Sequence, residues 1–117
     1  MENTQKDINR KEVIMDIMKE VCIPAHIKGY RYLIYAIEIC IDDNSIIDNV
    51  IDRLYPSVAA EFGDTSSRVQ RAIRHAINVF YANADPDVVE KYFGKRVKKV
   101  PNSEFIATIA FRLQLKN

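Results

Sequence analysis

The sequence has few of the residues that form tight turns. Three glycines and four prolines occur among 117 residues, whereas 48% of the residues are hydrophobic and 28% are charged. This composition is that of an ordinary globular protein, and the scarcity of turn residues favours helices over a β fold with many turns. The length suits about one domain with its own core. We therefore expect a single all-α domain over residues 1–117.

Cysteines and long apolar runs are also scarce. Cys22 and Cys40 each lie in an apolar stretch, and the polar segment 1–12 does not resemble a signal peptide. These features predict two buried, reduced thiols in a cytoplasmic protein. Charged residues interrupt every apolar stretch well before the length of about 18 residues that a membrane span needs. We therefore expect no contact with a membrane.

The residue patterns of common catalytic and metal sites are missing. The sequence has no Gly-rich phosphate loop and no nucleophile elbow, so we predict neither an enzyme nor a cofactor. The two cysteines and the two histidines, His26 and His75, have spacings that match no zinc module. We therefore predict no metal site.

Charge of one sign is absent from three stretches. Residues 32–52 contain five acids and no Lys or Arg, residues 65–84 contain three arginines and no acid, and residues 91–100 contain five basic residues and no acid. Such segregation predicts one acidic and one basic face. A basic face is typical of a protein that binds a polyanion.

Apolar residues recur at helical spacing in six segments. We predict helices over about 7–22, 26–41, 46–54, 56–62 and 65–82, and a last helix that begins at 102 or 103. In the third of these, the spacing places Val50, Ile51 and Leu54 on the buried side. Residues 83–101 are predicted to form a lysine-rich loop with one short helical turn at 88–93.

The predicted helix 65–82 has two unlike halves. The apolar half includes Ala72 and Ala76, which are small enough to admit the close approach of another helix. The polar half consists of Ser67, Arg68, Gln70, Arg71, Arg74, His75 and Asn78.

The segment before this helix indicates a function for its polar half. A short helix from Pro56 to Phe62 and a turn at 63–64 complete the layout of a helix-turn-helix over about 56–82. The second helix of this motif enters the major groove, where Arg pairs with guanine and Gln with adenine. The candidate DNA contacts are therefore Ser67, Arg68, Gln70, Arg71 and Arg74. The alternative is a solvated face whose arginines pair with carboxylates elsewhere in the fold.

Four segments, PAHIKGYRYL, LYPSVAAEF, TSSRVQRAIRHAI and PNSEFIA, together resemble a known family. They are similar, in the same order, to the C-terminal effector domain of stage-zero sporulation protein A, over about residues 21–115. The resemblance implies an all-α, six-helix domain that regulates sporulation genes by binding double-stranded DNA. It also implies tandem pairs on DNA and a contact with the RNA polymerase sigma factor.

The resemblance assigns individual roles within the predicted helix 65–82. The family's base-reading pattern Ser-Arg-Val-Glu-Arg falls on residues 67–71, which implies that Arg68 reads guanine and that Arg71 contacts a base or a phosphate. Arg74 and His75 would lie along the DNA backbone. Gln70 stands where the family has Glu, and because Glu accepts from cytosine whereas Gln tends toward adenine, we hypothesise a shifted target sequence.

Several further residues are candidate phosphate contacts. They are Thr65, Ser66, Lys95, Arg96, Lys98 and Lys99. For the last four, the alternative is a flexible, solvated loop.

Two broader alternatives concern the whole chain. The family's regulator carries a receiver domain before this match, so we expect either an excised effector domain or a free-standing paralogue that phosphorylation does not control. The alternative function is a protein-interaction module that binds or antagonises a sporulation regulator without reading DNA.

Overall fold

The computed structural model describes the backbone of residues 2–21, 23–95 and 99–116, and the side chains of residues 9–21, 23–95 and 99–114. Within these residues the chain forms helices and no strand, so the all-α prediction is confirmed. The six α-helices are α1 (Glu2–Glu20), α2 (Lys28–Asp42), α3 (Tyr55–Phe62), α4 (Ser66–Asn83), α5 (Pro86–Phe93) and α6 (Asn102–Lys116).

The third predicted helix is not α-helical. Asn44–Asn49 forms a 3-10 helix and Val50–Leu54 forms a π-helical turn that leads into α3. A 3-10 helix has fewer residues per turn than an α-helix, and a π-helix has more. The α-helical spacing of apolar residues therefore does not predict which side of these two segments is buried. The inward orientation predicted for Ile51 is wrong, since its side chain is 62% exposed, whereas Leu54 is fully buried.

The loop after α4 contains more helix than the single turn predicted at 88–93. α5 begins at Pro86, and Asp85 caps it by accepting the N–H of Asp87 at 2.8 Å. Proline is favoured in the first turn of a helix, where its missing N–H has no intrahelical partner to lose. The cap and Pro86 together extend the helix by half a turn toward the N-terminus.

Helix α2 lies at the centre of the fold and packs most extensively against α4 and α6. A second part of the core joins α4, α5 and α6 through Phe80, Phe93 and Phe105. The ring centroids are 5.6 Å apart for Phe80 and Phe93, 5.4 Å for Phe80 and Phe105, and 5.1 Å for Phe93 and Phe105. Burying a side chain of this size contributes about 2 kcal/mol. These contacts fix the apolar half of α4, so its polar half must face outward.

The close helix approach expected at Ala72 and Ala76 is confirmed, and the partner helix is α2. A Cβ built on Gly29 would collide with the backbone carbonyl oxygen of Ala72 and would lie 2.9 Å from the Cβ of Ala76. Only a glycine fits at this crossing, and it allows α2 to lie directly against the α4 backbone.

Ion pairs attach α1 to the rest of the fold. Arg10 pairs with Asp42 at 2.7 Å and Lys11 with the buried Glu38 at 3.0 Å, both on α2, while Glu20 pairs with Lys91 of α5 at 3.0 Å. None of the helices in the described part of the chain has the length and apolarity needed to cross a lipid bilayer.

Candidate nucleic-acid interface

A turn of three residues, 63–65, joins α3 to α4. Gly63 ends α3 in the left-handed conformation, with φ of 64°, which glycine adopts without a steric penalty. Thr65 then caps α4, because its hydroxyl oxygen accepts the N–H of Arg68 at 3.3 Å. The turn thus fixes both the end of α3 and the first residue of α4.

The middle residue of the turn, Asp64, ties the turn to α2. Its carboxylate accepts from the hydroxyl of Tyr32 at 2.5 Å and from Nζ of Lys28 at 2.9 Å, and it also accepts the N–H of Thr65 at 2.8 Å. These bonds, the Tyr32 bond foremost, hold the pKa of the Asp64 carboxyl well below its usual range. The charged carboxylate is therefore the form that keeps the N-terminus of α4 in place.

Replacing Tyr32 with phenylalanine should lower the free energy of unfolding at pH 7 by about 1.5 kcal/mol, because a hydrogen bond to a charged group is lost while the ring remains. A carboxyl with a lowered pKa contributes stability that is fully present above its unfolded pKa of about 3.9 and is lost as the pH falls through its folded pKa. Because the unfolded state is the same in both proteins, the difference between them depends on the folded pKa of Asp64, which the Tyr32 bond lowers. The difference should therefore persist to about pH 3 and shrink in stronger acid, and chemical denaturation between about pH 1.5 and about pH 7 measures it.

Tyr35→Phe is the matched control for this variant. The rings of Tyr32 and Tyr35 both pack against Phe62, with centroid distances of 5.0 and 5.8 Å, and Tyr35 makes no bond to Asp64 within the described structure. The control should change the stability little at any pH. Equal losses for both variants, or a loss that does not depend on pH, would contradict the role of the Asp64 carboxylate.

The polar half of α4 is open to solvent over its first three turns. Ser67, Arg68, Gln70, Arg71 and His75 are exposed there, together with Thr65 just before the helix; Ser66 and Arg74 are half-buried. The structure therefore brings these sequence-predicted residues of the turn and α4 together on one surface, which we call the α4 face.

The charge of the α4 face is largely unneutralised. The one ion pair that its arginines form with any described residue joins Arg68 to Asp64 at 3.8 Å, and the Arg68 side chain is 68% exposed. At this distance, and with the Arg68 side chain in water, the pair contributes little energy. Arg71 has no hydrogen-bond or ion-pair partner among the residues that the structure describes. The described residues therefore do not support the alternative that these arginines pair with carboxylates elsewhere in the fold.

Arg74 differs from the other two arginines, because it holds the segment before α6. Its Nη1 donates to the carbonyl oxygen of Val100 at 3.1 Å, and its Nη2 donates to Oδ1 of Asn78 at 3.4 Å. The N–H of Val100 in turn donates to the hydroxyl of Tyr81 at 3.1 Å. The segment thus runs along α4 and covers part of its polar half, which sequence reasoning left fully open.

The lysine-rich loop is partly described. Lys95 and Lys99 are exposed, and Nζ of Lys99 lies 3.3 Å from Oδ1 of Asn78 on α4. Arg96 and Lys98 lie outside the described residues. Lys99 therefore adjoins the C-terminal end of the α4 face.

Two residues beside this face were not predicted from the sequence. Asn102, interpreted only as a helix start, is buried, and its Nδ2 donates to the carbonyl oxygen of Gln70 at 3.2 Å and to the Tyr55 hydroxyl at 3.3 Å. Ile51, expected in the core, lies with Asn102 in a cleft of about 350 Å³. The cleft is lined by Val50, Ile51, Tyr55, Gln70, Arg71, Arg74, Pro101, Asn102 and Ser103.

The described residues contain no group of three or more His, Cys, Asp and Glu side chains placed to hold a metal ion. Cys40 is a buried free thiol, and burial raises its pKa to about 12. Cys22 lies outside the described residues.

One comparison with known proteins identifies a family. A family model described as "Sporulation initiation factor Spo0A C terminal" matches residues 14–113, which is nearly the whole chain. The match includes all of α2 to α5 and therefore the complete α4 face. The family consists of DNA-binding regulatory domains of sporulation and is not an enzyme family.

Proposed function

The chain belongs to the family of the Spo0A C-terminal domain, and we propose that it reads double-stranded DNA by inserting α4 into the major groove. Membership confirms the resemblance carried by the four sequence segments and makes the chain a DNA-binding sporulation regulator. The manner of reading is our proposal. In it, residues 1–117 act as one effector domain, and α3, the turn and α4 form the helix-turn-helix at about 56–82.

The observation that carries this proposal is the α4 face itself. It combines exposed arginines that have no strong ion pair within the described structure with a helix whose N-terminus is capped and whose opposite half is fixed in the core. An electropositive, rigid helix of this kind suits both the phosphate charge and the base edges of a duplex.

The proposed roles combine what the family resemblance implies with the pairing chemistry of each side chain. Arg68 reads guanine, Gln70 reads adenine, and Arg71 contacts a base or a phosphate. Thr65, Ser66, His75 and the loop cations contact the backbone. Arg74 keeps its bonds to Val100 and Asn78 and uses its remaining N–H donors for a phosphate, since a guanidinium carries five.

Selection of bound duplexes from random DNA at two salt concentrations tests the proposal. A short enriched motif is expected, with retention that weakens as salt rises because phosphate contacts release counterions. No enriched motif and no salt-dependent retention would contradict DNA reading and favour the protein-interaction module instead.

The variant Gln70→Glu should change the preferred base at one position of the selected motif. Glu accepts from cytosine N4, whereas the Gln amide both donates to and accepts from adenine, and such a pairing is worth about 1–3 kcal/mol of discrimination. We expect a shift of about tenfold from adenine toward cytosine at that position and none elsewhere. Repeating the selection with the variant measures it.

Gln70→Ala serves as the control, since it should relax the preference without creating a new one. An unchanged motif with Gln70→Glu would show that Gln70 does not touch a base.

The resemblance also leads us to propose a contact with the RNA polymerase sigma factor and tandem occupancy of DNA. Footprints of two adjacent protected sites would support the tandem arrangement, and binding of a purified sigma factor to the protein–DNA complex would support the other contact. A single protected site at saturating protein, or no sigma binding, would remove the respective proposal.

A further inference from the structure

The cleft beside the α4 face has walls of two different kinds. One wall is cationic, with Arg71 and Arg74 from α4, and the other is apolar, with Val50 and Ile51 from the π-helical turn. The polar end contains Asn102 and Ser103 at the start of α6. A ligand that fills such a cleft needs an anionic group next to carbon-rich surface.

Ile51 is the unusual member of this lining. Its side chain is 62% exposed, although isoleucine is among the residues most often buried. The exposure is a consequence of the π-helical turn, and such turns are frequent at functional sites. A side chain of this size, displayed beside an arginine that has no partner among the described residues, is positioned to contact the same ligand as that arginine.

We propose that this cleft binds one sugar–phosphate unit of the DNA backbone, with Arg71 on the phosphate and Ile51 on the carbon atoms of the deoxyribose. The inference rests on the proposed function and extends the DNA interface from α4 to the π-helical turn. A sugar–phosphate unit has the required chemistry, because its phosphate pairs with a guanidinium and its sugar presents apolar C–H groups. In this arrangement Ile51 contributes affinity without reading sequence.

Truncation of Ile51 tests the apolar contact. Ile51→Ala should weaken binding to the selected duplex about fivefold, since part of one apolar side chain leaves the interface. The base preferences and the salt dependence should not change, because no charge is lost. Phe111→Ala is the matched control: Phe111 is 61% exposed on α6 and lines a different groove, so its truncation should leave the affinity unchanged.

A charge at the same position gives a larger effect. Ile51→Asp should weaken binding by a further factor of about ten or more, because its carboxylate would face the phosphate. Phe111→Asp adds the same charge elsewhere and should cost far less. Equal losses for the two aspartate variants would overturn the proposal, and thermal unfolding of each variant shows that the fold is intact.

Modified duplexes identify the contacted group. In a series of duplexes, each phosphate in turn is replaced by a neutral methylphosphonate. One of these replacements should weaken DNA binding by the wild type but not by Arg71→Ala. The salt slope of binding by Arg71→Ala should be smaller than that of the wild type by about 0.9. Replacing thymines by deoxyuridines should not affect the wild type. If it does, and Ile51→Ala is insensitive, Ile51 contacts a thymine methyl group and the sugar–phosphate assignment is wrong.

Failure of the proposed function gives a separate result. If the wild type selects no duplex, DNA reading itself fails. If the wild type selects a motif and Ile51→Ala binds it with unchanged affinity, only the cleft assignment fails.

Discussion

The double variant Arg68→Ala/Arg71→Ala is expected to bind its selected DNA about 1,000-fold more weakly than the wild type, from about 2 kcal/mol for each arginine, whether it pairs with a base or with a phosphate. Both side chains are exposed on the α4 face, and the strongest interaction available to either within the described structure is the 3.8 Å contact of Arg68 with Asp64. Removing these two side chains should therefore change the stability of the free protein little. The loss should appear in DNA binding and not in stability.

Titration of labelled duplex at two salt concentrations, together with thermal unfolding, measures both quantities. The control is Lys19→Ala/Arg31→Ala, which removes the same formal charge from exposed positions on α1 and α2. This control should weaken binding only through the general electrostatic attraction. If both double variants lose the same affinity, the α4 face has no special role in binding DNA.

The variant Gly29→Ala is expected to lower the free energy of unfolding by about 2 kcal/mol. The added Cβ would meet the backbone carbonyl oxygen of Ala72, and a backbone cannot move aside by changing a rotamer. Overpacking of this kind costs about 3 kcal/mol, of which the better helix propensity of alanine returns about 1 kcal/mol. Because α4 must shift away from α2, the affinity for DNA should fall as well.

Chemical denaturation measures this effect, and Gly63→Ala is its comparison. Gly63 has φ of 64°, and a Cβ added there would meet no atom of the described residues within 4 Å, so alanine costs about 1 kcal/mol of backbone strain without a collision. Gly29→Ala should be the more damaging variant although its backbone is an ordinary helix. A Gly29→Ala protein as stable as the wild type would show that α2 and α4 are not held together at this crossing.

The features that can be predicted well from the sequence depend on residues close together in the chain. The helical spacing of apolar residues and the turn predicted at 63–64 give the bounds and the exposed half of α4 almost as the structure has them. The small residues Ala72 and Ala76 indicate a close helix approach, but they do not show that Gly29 is the residue that meets them. The identity of a packing partner is not encoded locally.

The incorrect predictions fall where the chain departs from α-helical geometry. The spacing of Val50, Ile51 and Leu54 fits an α-helix, yet the 3-10 helix and π-helical turn change the direction in which each side chain points. The spacing therefore assigns Ile51 to the core, whereas the residue lies at the surface. No pattern in these few residues distinguishes the two outcomes.

The sequence by itself determined that this protein is all-α and that α4 carries an exposed face rich in arginine, because periodicity and capping are local properties. Only the tertiary structure decided how that face is bounded. Arg74 is held by Val100, 26 residues away, and the turn before α4 is held by the bond from Tyr32 to Asp64, 32 residues apart. Such contacts form when distant segments pack against a shared core, and their partners follow from the fold and not from neighbouring residues.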